Sequence, residues 1–176
     1  KHLFIIPKST TTNLSGHILR SINNCPMEKL IRTDSSDQDF INLVKLLDKE
    51  LQIRDGSEHS FYAQYNKIDK IKNVVVAYLD DVAVGCGAIK EYDGSTMEVK
   101  RMFVKDEYRS KGIATKILID LELWTKELGY SKCILETGLK QPEAIHLYKK
   151  NNYKVIPNYG QYAGVDNSVC MEKFIK

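Results

Sequence analysis

Residues 98–115 read Glu98-Val99-Lys100-Arg101-Met102-Phe103-Val104-Lys105-Asp106-Glu107-Tyr108-Arg109-Ser110-Lys111-Gly112-Ile113-Ala114-Thr115. The beginning of this stretch is rich in strand formers, and apolar residues recur at helical spacing from Ile113 onward. The first N–H groups of a helix lack partners and carry partial positive charge, so the amides of 110–115 are suited to a phosphate or diphosphate. Gly112 has no Cβ and lets such a group come close, although a single glycine at a helix start is also common turn chemistry.

Further strands and helices are predicted on both sides of this stretch. Upstream, a first strand starts near Met27, and apolar residues from Phe40 to Leu51 predict a helix after possible N-caps at 35–38. The other predicted elements are a helix over 60–67, strands over 74–79, 82–89 and 97–104, a helix from 113 to Gly129, a strand over 132–136, a helix over 143–151, and strands over 153–156 and 168–174. This order predicts an α/β (α+β) domain with a mixed, mostly antiparallel sheet of about six to seven strands flanked by helices on both faces.

Composition limits the class of protein. The chain has 176 residues and a net charge of +3, and its dispersed basic residues do not predict a nucleic-acid footprint. No apolar run approaches the roughly 20 residues of a membrane span, and Leu3–Ile6 is too short for a secretory signal. The four cysteines are far apart in the sequence, which predicts neither a disulfide framework nor a zinc site. We therefore expect a cytoplasmic protein without a metal.

A polar N-terminal stretch differs from the rest of the chain. Residues 1–26 contain many Thr, Ser and Asn residues with little periodicity and end at Pro26. Met27 then precedes the first predicted strand and resembles a chain start. We expect residues 1–26 to be an extension that need not belong to the native protein, and residues 27–176 to form the domain.

Two groups of residues resemble the GCN5-related N-acetyltransferase (GNAT) superfamily. The first group resembles motif A of the family and consists of Glu98 to Val104, four further residues, and Arg109-Ser110-Lys111-Gly112-Ile113-Ala114. In the family, the turn of this motif reads Arg or Gln, two residues, Gly, one residue, Gly or Ala. Residues 135–138 and 141–153 resemble the next strand and helix, where Ala-x-x-Leu-Tyr-x-x-x-Gly-Phe is typical. Asn152-Tyr153 replaces Gly-Phe, a small departure because Asn also tolerates the left-handed conformation of a helix end.

The resemblance implies that acetyl-CoA binds as co-substrate. Backbone groups of the fourth strand would hold the pantetheine arm, amides of the following turn would hold the pyrophosphate, and Gln141 would lie near the pantetheine. The residues assigned to the coenzyme in this way are Met102, Phe103, Val104, Arg109, Ser110, Lys111, Gly112, Ile113, Ala114, Thr115 and Gln141.

The resemblance also implies two catalytic side chains. Strand alternation predicts that Glu98 shares a face with Lys100, Met102 and Val104, and Glu98 is the candidate general base, with a pKa raised by partial burial. Its alternative role is an ion pair with Lys100. Tyr148 is the candidate acid for the leaving thiolate, and its alternative role is packing on the sheet. The backbone N–H of Met102 or Val104 is the candidate oxyanion donor.

The predicted function is transfer of an acetyl group from acetyl-CoA to a primary amine of a small molecule or amino-acid-like acceptor, by direct attack in a ternary complex. Tyrosines of the loop at 159–162 are candidates to line the acceptor pocket, and we expect a monomer or homodimer. Two alternatives remain open, namely a protein or peptide acetyltransferase and a non-catalytic acyl-CoA-binding module.

Overall fold

A mixed β-sheet forms the centre of the molecule. The computed structural model describes residues 28–56, 60, 62, 64, 68, 69 and 71–176, and its seven strands form one sheet in the order β1-β2-β3-β4-β5-β7-β6. The strands are β1 (Glu28–Thr33), β2 (Asn73–Leu79), β3 (Val82–Asp93), β4 (Thr96–Val104), β5 (Lys132–Gly138), β6 (Lys154–Ile156) and β7 (Ser168–Phe174). Only β4 and β5 pair in parallel among these strands. The predicted mixed, mostly antiparallel sheet is confirmed.

Helices cover both faces of the sheet, as predicted. They are α1 (Gln38–Asp55), α2 (Ile113–Glu127) and α3 (Pro142–Lys150). Residues Ile117, Leu118 and Leu121 of α2 are fully buried on one face, where each contributes about 1.5–3 kcal/mol by leaving water. Tyr148 of α3 belongs to the same cluster, whereas Phe40 of α1 packs with a separate cluster on the other face.

Helix ends account for several local features of the sequence. The N-cap of α1 is Asp37, whose carboxylate accepts a hydrogen bond from the Phe40 amide at 2.9 Å, so the cap lies within the predicted polar run at 35–38. Gly129 follows the end of α2 with a φ of 86°, as predicted for a glycine that terminates a helix. Asn152 has a φ of 68° after α3, which confirms that it serves where the family has glycine.

A β-bulge in β4 contradicts the predicted strand alternation. Cys86 pairs with Phe103 and Ala88 with Lys100, so both Arg101 and Met102 lie opposite a single residue of β3. Arg101 accordingly has a φ of 58°. Since a bulge inserts one extra residue, it reverses the alternation beyond it. The prediction that Glu98, Lys100, Met102 and Val104 share one face is therefore wrong.

The bulge divides these side chains between the two faces. Met97, Val99, Met102 and Val104 pack in the cluster beneath α2, so Glu98 and Lys100 project to the α1 face. Two other predictions, the extension at 1–26 with Met27 and most of the helix at 60–67, lie outside the described residues.

Candidate active site

A cleft opens where β4 and β5 separate. Their parallel pairing covers only Thr96–Glu98 of β4 against Lys132–Ile134 of β5, although β4 continues to Val104 and β5 to Gly138. The gap is part of a cavity of about 500 Å³. This cavity reaches from the start of α2 to Tyr162 in the loop between β6 and β7.

The start of α2 faces this cavity without a capping side chain. Gly112 is the N-cap, with a φ of 81°, and none of the described side chains makes a capping hydrogen bond there. A Cβ built on Gly112 would have no heavy atom within 4 Å, so open space lies beside the helix start. The free amides of the first turn and their partial positive charge fit a diphosphate.

Side chains of the preceding turn are held away from that space. The Arg109 guanidinium donates to the Val104 carbonyl at 2.8 Å and to Glu50 at 2.6 Å. The Lys111 ammonium donates to the Glu107 carbonyl at 3.0 Å and lies over the Tyr108 ring. The charge of Arg109 is therefore already paired, and Lys111 turns its ammonium away from the helix start.

Glu98 lies at the point where β4 and β5 diverge and lines the cavity. Its side chain is largely buried, and both carboxylate oxygens accept hydrogen bonds, Oε2 from Lys100 and Oε1 from the Tyr159 hydroxyl, each at 3.1 Å. The predicted ion pair with Lys100 is thus present. Both roles considered for Glu98 remain compatible with its position.

Glu136 is a second carboxylate in the cavity, quoted in the family resemblance but given no role there. Burial raises its pKa to about 7, with a smaller contribution from the charge of Glu98, while Ser168 and Lys100 act in the opposite direction. Ser168 donates to Glu136 Oε1 at 2.7 Å. A carboxyl group with this pKa exchanges protons readily near neutral pH. The available signal was a carboxylate directly after the apolar run Cys133–Leu135.

Tyr148 lines the same cavity from α3. Its ring packs edge-on against Tyr153 with centroids 5.6 Å apart. Burial, reinforced by the charge of Glu136, raises the pKa of the Tyr148 hydroxyl. The hydroxyl therefore keeps its proton at neutral pH and remains available as a donor, so the position is compatible with both the acid role and the packing role.

The cavity brings nearly all predicted site residues together. Its lining includes Glu98, Met102, Phe103, Val104, Arg109, Ser110, Gly112, Ile113, Ala114, Thr115, Gln141 and Tyr148. Lys111 is not in the lining, because its side chain turns back to Glu107. The two loop tyrosines have different positions. Tyr162 lines the cavity, whereas Tyr159 lies outside its lining and donates a hydrogen bond to Glu98.

Other candidate features are outside the cavity or absent from the described part of the chain. Cys86, Cys133 and Cys170 are buried, and burial raises the pKa of all three thiols, that of Cys86 to about 12. Within the described ranges, no three His, Cys, Asp or Glu side chains are grouped to hold a metal ion. None of the helices in those ranges is long and apolar enough to cross a membrane.

Comparison with known proteins gives a consistent result. A family model described as "Acetyltransferase (GNAT) family" matches residues 40–153. The "IAA acetyltransferase" of Azospirillum brasilense is 37% identical over 100 residues, which is 56% of this chain and 65% of that protein. The matched stretch thus spans less than two thirds of this relative.

Solved structures share the fold over most of the chain. A "putative acyl-CoA N-acyltransferase" from Klebsiella pneumoniae has a TM-score of 0.69 and 27% identity, covering 85% of this chain and 99% of that one. A GNAT family acetyltransferase from Elizabethkingia anophelis "with acetyl-CoA bound" has a TM-score of 0.61 and 18% identity, covering 84% of this chain and 97% of that one.

Proposed function

Because the chain belongs to the GNAT acetyltransferase family, we propose that it transfers the acetyl group of acetyl-CoA to a primary amine of a small molecule or amino-acid-like acceptor. The observation that carries this proposal is the convergence of an uncapped helix start, the carboxylates of Glu98 and Glu136 and the buried Tyr148 on one cavity. Transfer is direct, within a ternary complex of protein, acetyl-CoA and amine.

The coenzyme lies along the opened edge of β4. Amides of residues 110–115 bind the pyrophosphate, since the Arg109 amide already donates to the Asp106 carbonyl. Backbone groups of 102–104 with the Gln141 side chain hold the pantetheine arm. The bulge supports this arrangement because Arg101 and Met102 share one opposing residue, which leaves backbone groups outside the regular ladder. The N–H of Met102 or Val104 stabilises the negative oxygen that develops during attack.

Proton transfer involves the two carboxylates and Tyr148. An ammonium loses its proton to the Glu98–Glu136 pair, directly or through a water. The neutral nitrogen then bonds to the acetyl carbon, and the carbon–sulfur bond breaks as the tetrahedral adduct collapses. The departing thiolate takes a proton from Tyr148, and the second proton that the nitrogen loses in becoming an amide returns to Tyr148, directly or through water. Glu136 is the stronger base candidate, because its pKa of about 7 suits neutral pH and Glu98 is held by Lys100 and Tyr159.

The acceptor end of the cavity favours a small amine. Glu98 and Tyr162 are both largely buried, and the rings of Tyr159 and Tyr162 meet edge-on at 6.0 Å. A buried tyrosine beside a carboxylate suits a compact organic cation. A peptide acceptor would instead require an open groove beside the cavity.

An acceptor screen tests this proposal. Small primary amines, free amino acids and lysine or N-terminal peptides are incubated with acetyl-CoA, and the released thiol is measured with correction for hydrolysis. We expect release with one or more small amines. Release with peptides alone would favour the protein acetyltransferase, whereas coenzyme binding without release for any amine would favour the non-catalytic module.

A further inference from the structure

The cleft between β4 and β5 lacks backbone hydrogen bonds to fix its width. In the described sheet, their pairing ends at Glu98 and Ile134, and the remaining parts of both strands separate. The spacing between the start of α2 and α3 therefore depends on groups that cross the gap. Because a coenzyme must contact both sides at once, its affinity depends on that spacing.

The last turns of α1 cross the gap through a chain of ion pairs. On the β4 side, Glu50 Oε2 lies 2.6 Å from the Arg109 guanidinium. Glu50 Oε1 lies 2.7 Å from Arg54 on the same helix. On the β5 side, Arg54 lies 2.5 Å from Glu143 in the first turn of α3 and donates to the Lys140 carbonyl at 3.3 Å.

The middle of this chain is partly shielded from water, whereas the Glu143 side chain at its end is 52% exposed. The side chains of Glu50 and Arg54 are each 26% exposed, and Glu50, Arg109 and Glu143 line the cavity. Although burial opposes ionisation of Glu50, the guanidinium groups of Arg109 and Arg54 hold the pKa of its carboxyl below the ordinary value. Glu50 is therefore ionised at neutral pH and pairs with both guanidinium groups.

We propose that Arg109, Glu50, Arg54 and Glu143 form a brace that sets the width of the coenzyme cleft. Arg54 is then a positioning residue for acetyl-CoA, acting through α1 and α3 rather than by contact. This inference rests on the proposed function, since it requires the coenzyme to bind between β4 and β5. A linked network of this kind can exceed the small contribution of an isolated surface pair.

The test compares Arg54→Gln and Glu143→Gln with the wild type by titration calorimetry with coenzyme A, which needs no turnover. The brace predicts that both substitutions weaken binding about fivefold, the equivalent of about 1 kcal/mol. Simple attraction between charges predicts the opposite for Glu143→Gln, because removing a negative charge should tighten binding of an anionic coenzyme. Unchanged or tighter binding by Glu143→Gln would overturn the proposal.

Arg32→Gln is the matched control. Arg32 is similarly exposed, 30% against 26% for Arg54, and joins β1 to α2 through Asp120 at 3.0 Å and through Glu127, outside the cavity. Its loss should lower the melting temperature without changing coenzyme affinity. An equal loss of affinity in Arg32→Gln and Arg54→Gln would indicate that both substitutions act by lowering the stability of the whole domain, and would contradict the proposal.

The double variant Arg54→Gln/Glu143→Gln provides a second check. If both residues act through one ion pair, the double variant should bind about as weakly as either single variant; additive losses would contradict a shared brace. Wild-type protein that does not bind coenzyme A would instead remove the proposed function. Normal wild-type binding with unaffected variants would remove only the brace.

Discussion

Glu136 is the side chain whose ionisation most directly links stability to chemistry. Its folded-state pKa of about 7 lies above the ordinary value of 4.5, so the folded state favours the protonated form. Stability contributed by this group is present at low pH and is lost as pH rises from about 4.5 to about 7. Glu136→Gln removes this loss and keeps an acceptor for Ser168. We expect a gain on the order of 2–3 kcal/mol near pH 8 and little change near pH 4, measured as melting temperature against pH.

The same substitution should reduce turnover. If Glu136 accepts the ammonium proton, Glu136→Gln should lower kcat/KM about 100-fold at neutral pH, and the limb of the pH–rate profile with an apparent pKa near 7 should disappear. A stabilised variant with a normal rate profile would limit Glu136 to a structural role.

Glu98→Gln provides the comparison within the carboxylate pair. It removes the ion pair to Lys100 and weakens the contact from Tyr159. As a base, Glu98 would give a rate loss at neutral pH that recovers at higher pH, where more of the amine is already neutral. A uniform loss across the pH range would indicate that Glu98 positions the acceptor instead.

Tyr148 offers a separate test of the acid role. Tyr148→Phe keeps the ring that packs against Tyr153 and removes only the hydroxyl. We expect kcat to fall about 10- to 100-fold, while the dissociation constant for coenzyme A, measured by calorimetry, stays within about twofold of wild type. A normal kcat would reassign Tyr148 to packing.

At the scale of elements, alanine substitutions at the two glycines that flank α2 test whether the start of this helix binds an anion. Gly112 and Gly129 flank this helix with φ values of 81° and 86°, and a Cβ on either would have no heavy atom within 4 Å. Alanine at either position therefore meets the same backbone strain of about 1 kcal/mol. Gly112→Ala should also weaken coenzyme A binding several-fold, because its methyl group enters the phosphate space. Equal coenzyme affinity in Gly112→Ala and Gly129→Ala, measured by calorimetry, would contradict an anion site at the helix start.

Most elements and the turn at Gly112 were predictable because they depend on local patterns. Strand alternation, helical spacing and the glycine at 112 are visible in short stretches of sequence. The predicted strand at 168–174, for example, agrees with β7. The bulge at Arg101 was not predictable, because it depends on the register with β3 rather than on residue type. The contacts of Glu136 with Ser168 and of Arg54 with Glu143 were likewise not predictable, since they join segments distant in sequence.

At the scale of the whole molecule, coenzyme binding should stabilise the domain. A ligand that binds only the folded state adds about 2.7 kcal/mol at 100 times its dissociation constant, which corresponds to about 5–10 °C for a domain of this size. Acetyl-CoA should produce this rise in a thermal melt, and ATP at equal concentration serves as the polyanion control. The absence of a shift at millimolar acetyl-CoA, or an equal shift with ATP, would contradict a specific coenzyme site.

Direct transfer within a ternary complex is the central claim. Among the described residues, the three cysteines are buried with raised thiol pKa values, which disfavours an acetylated cysteine as intermediate. The most direct measurement is the initial rate with acetyl-CoA and an active amine both varied. Double-reciprocal lines that intersect are predicted, because both substrates must be bound before transfer. Parallel lines, with an acetylated protein seen by mass spectrometry before amine is added, would contradict the account.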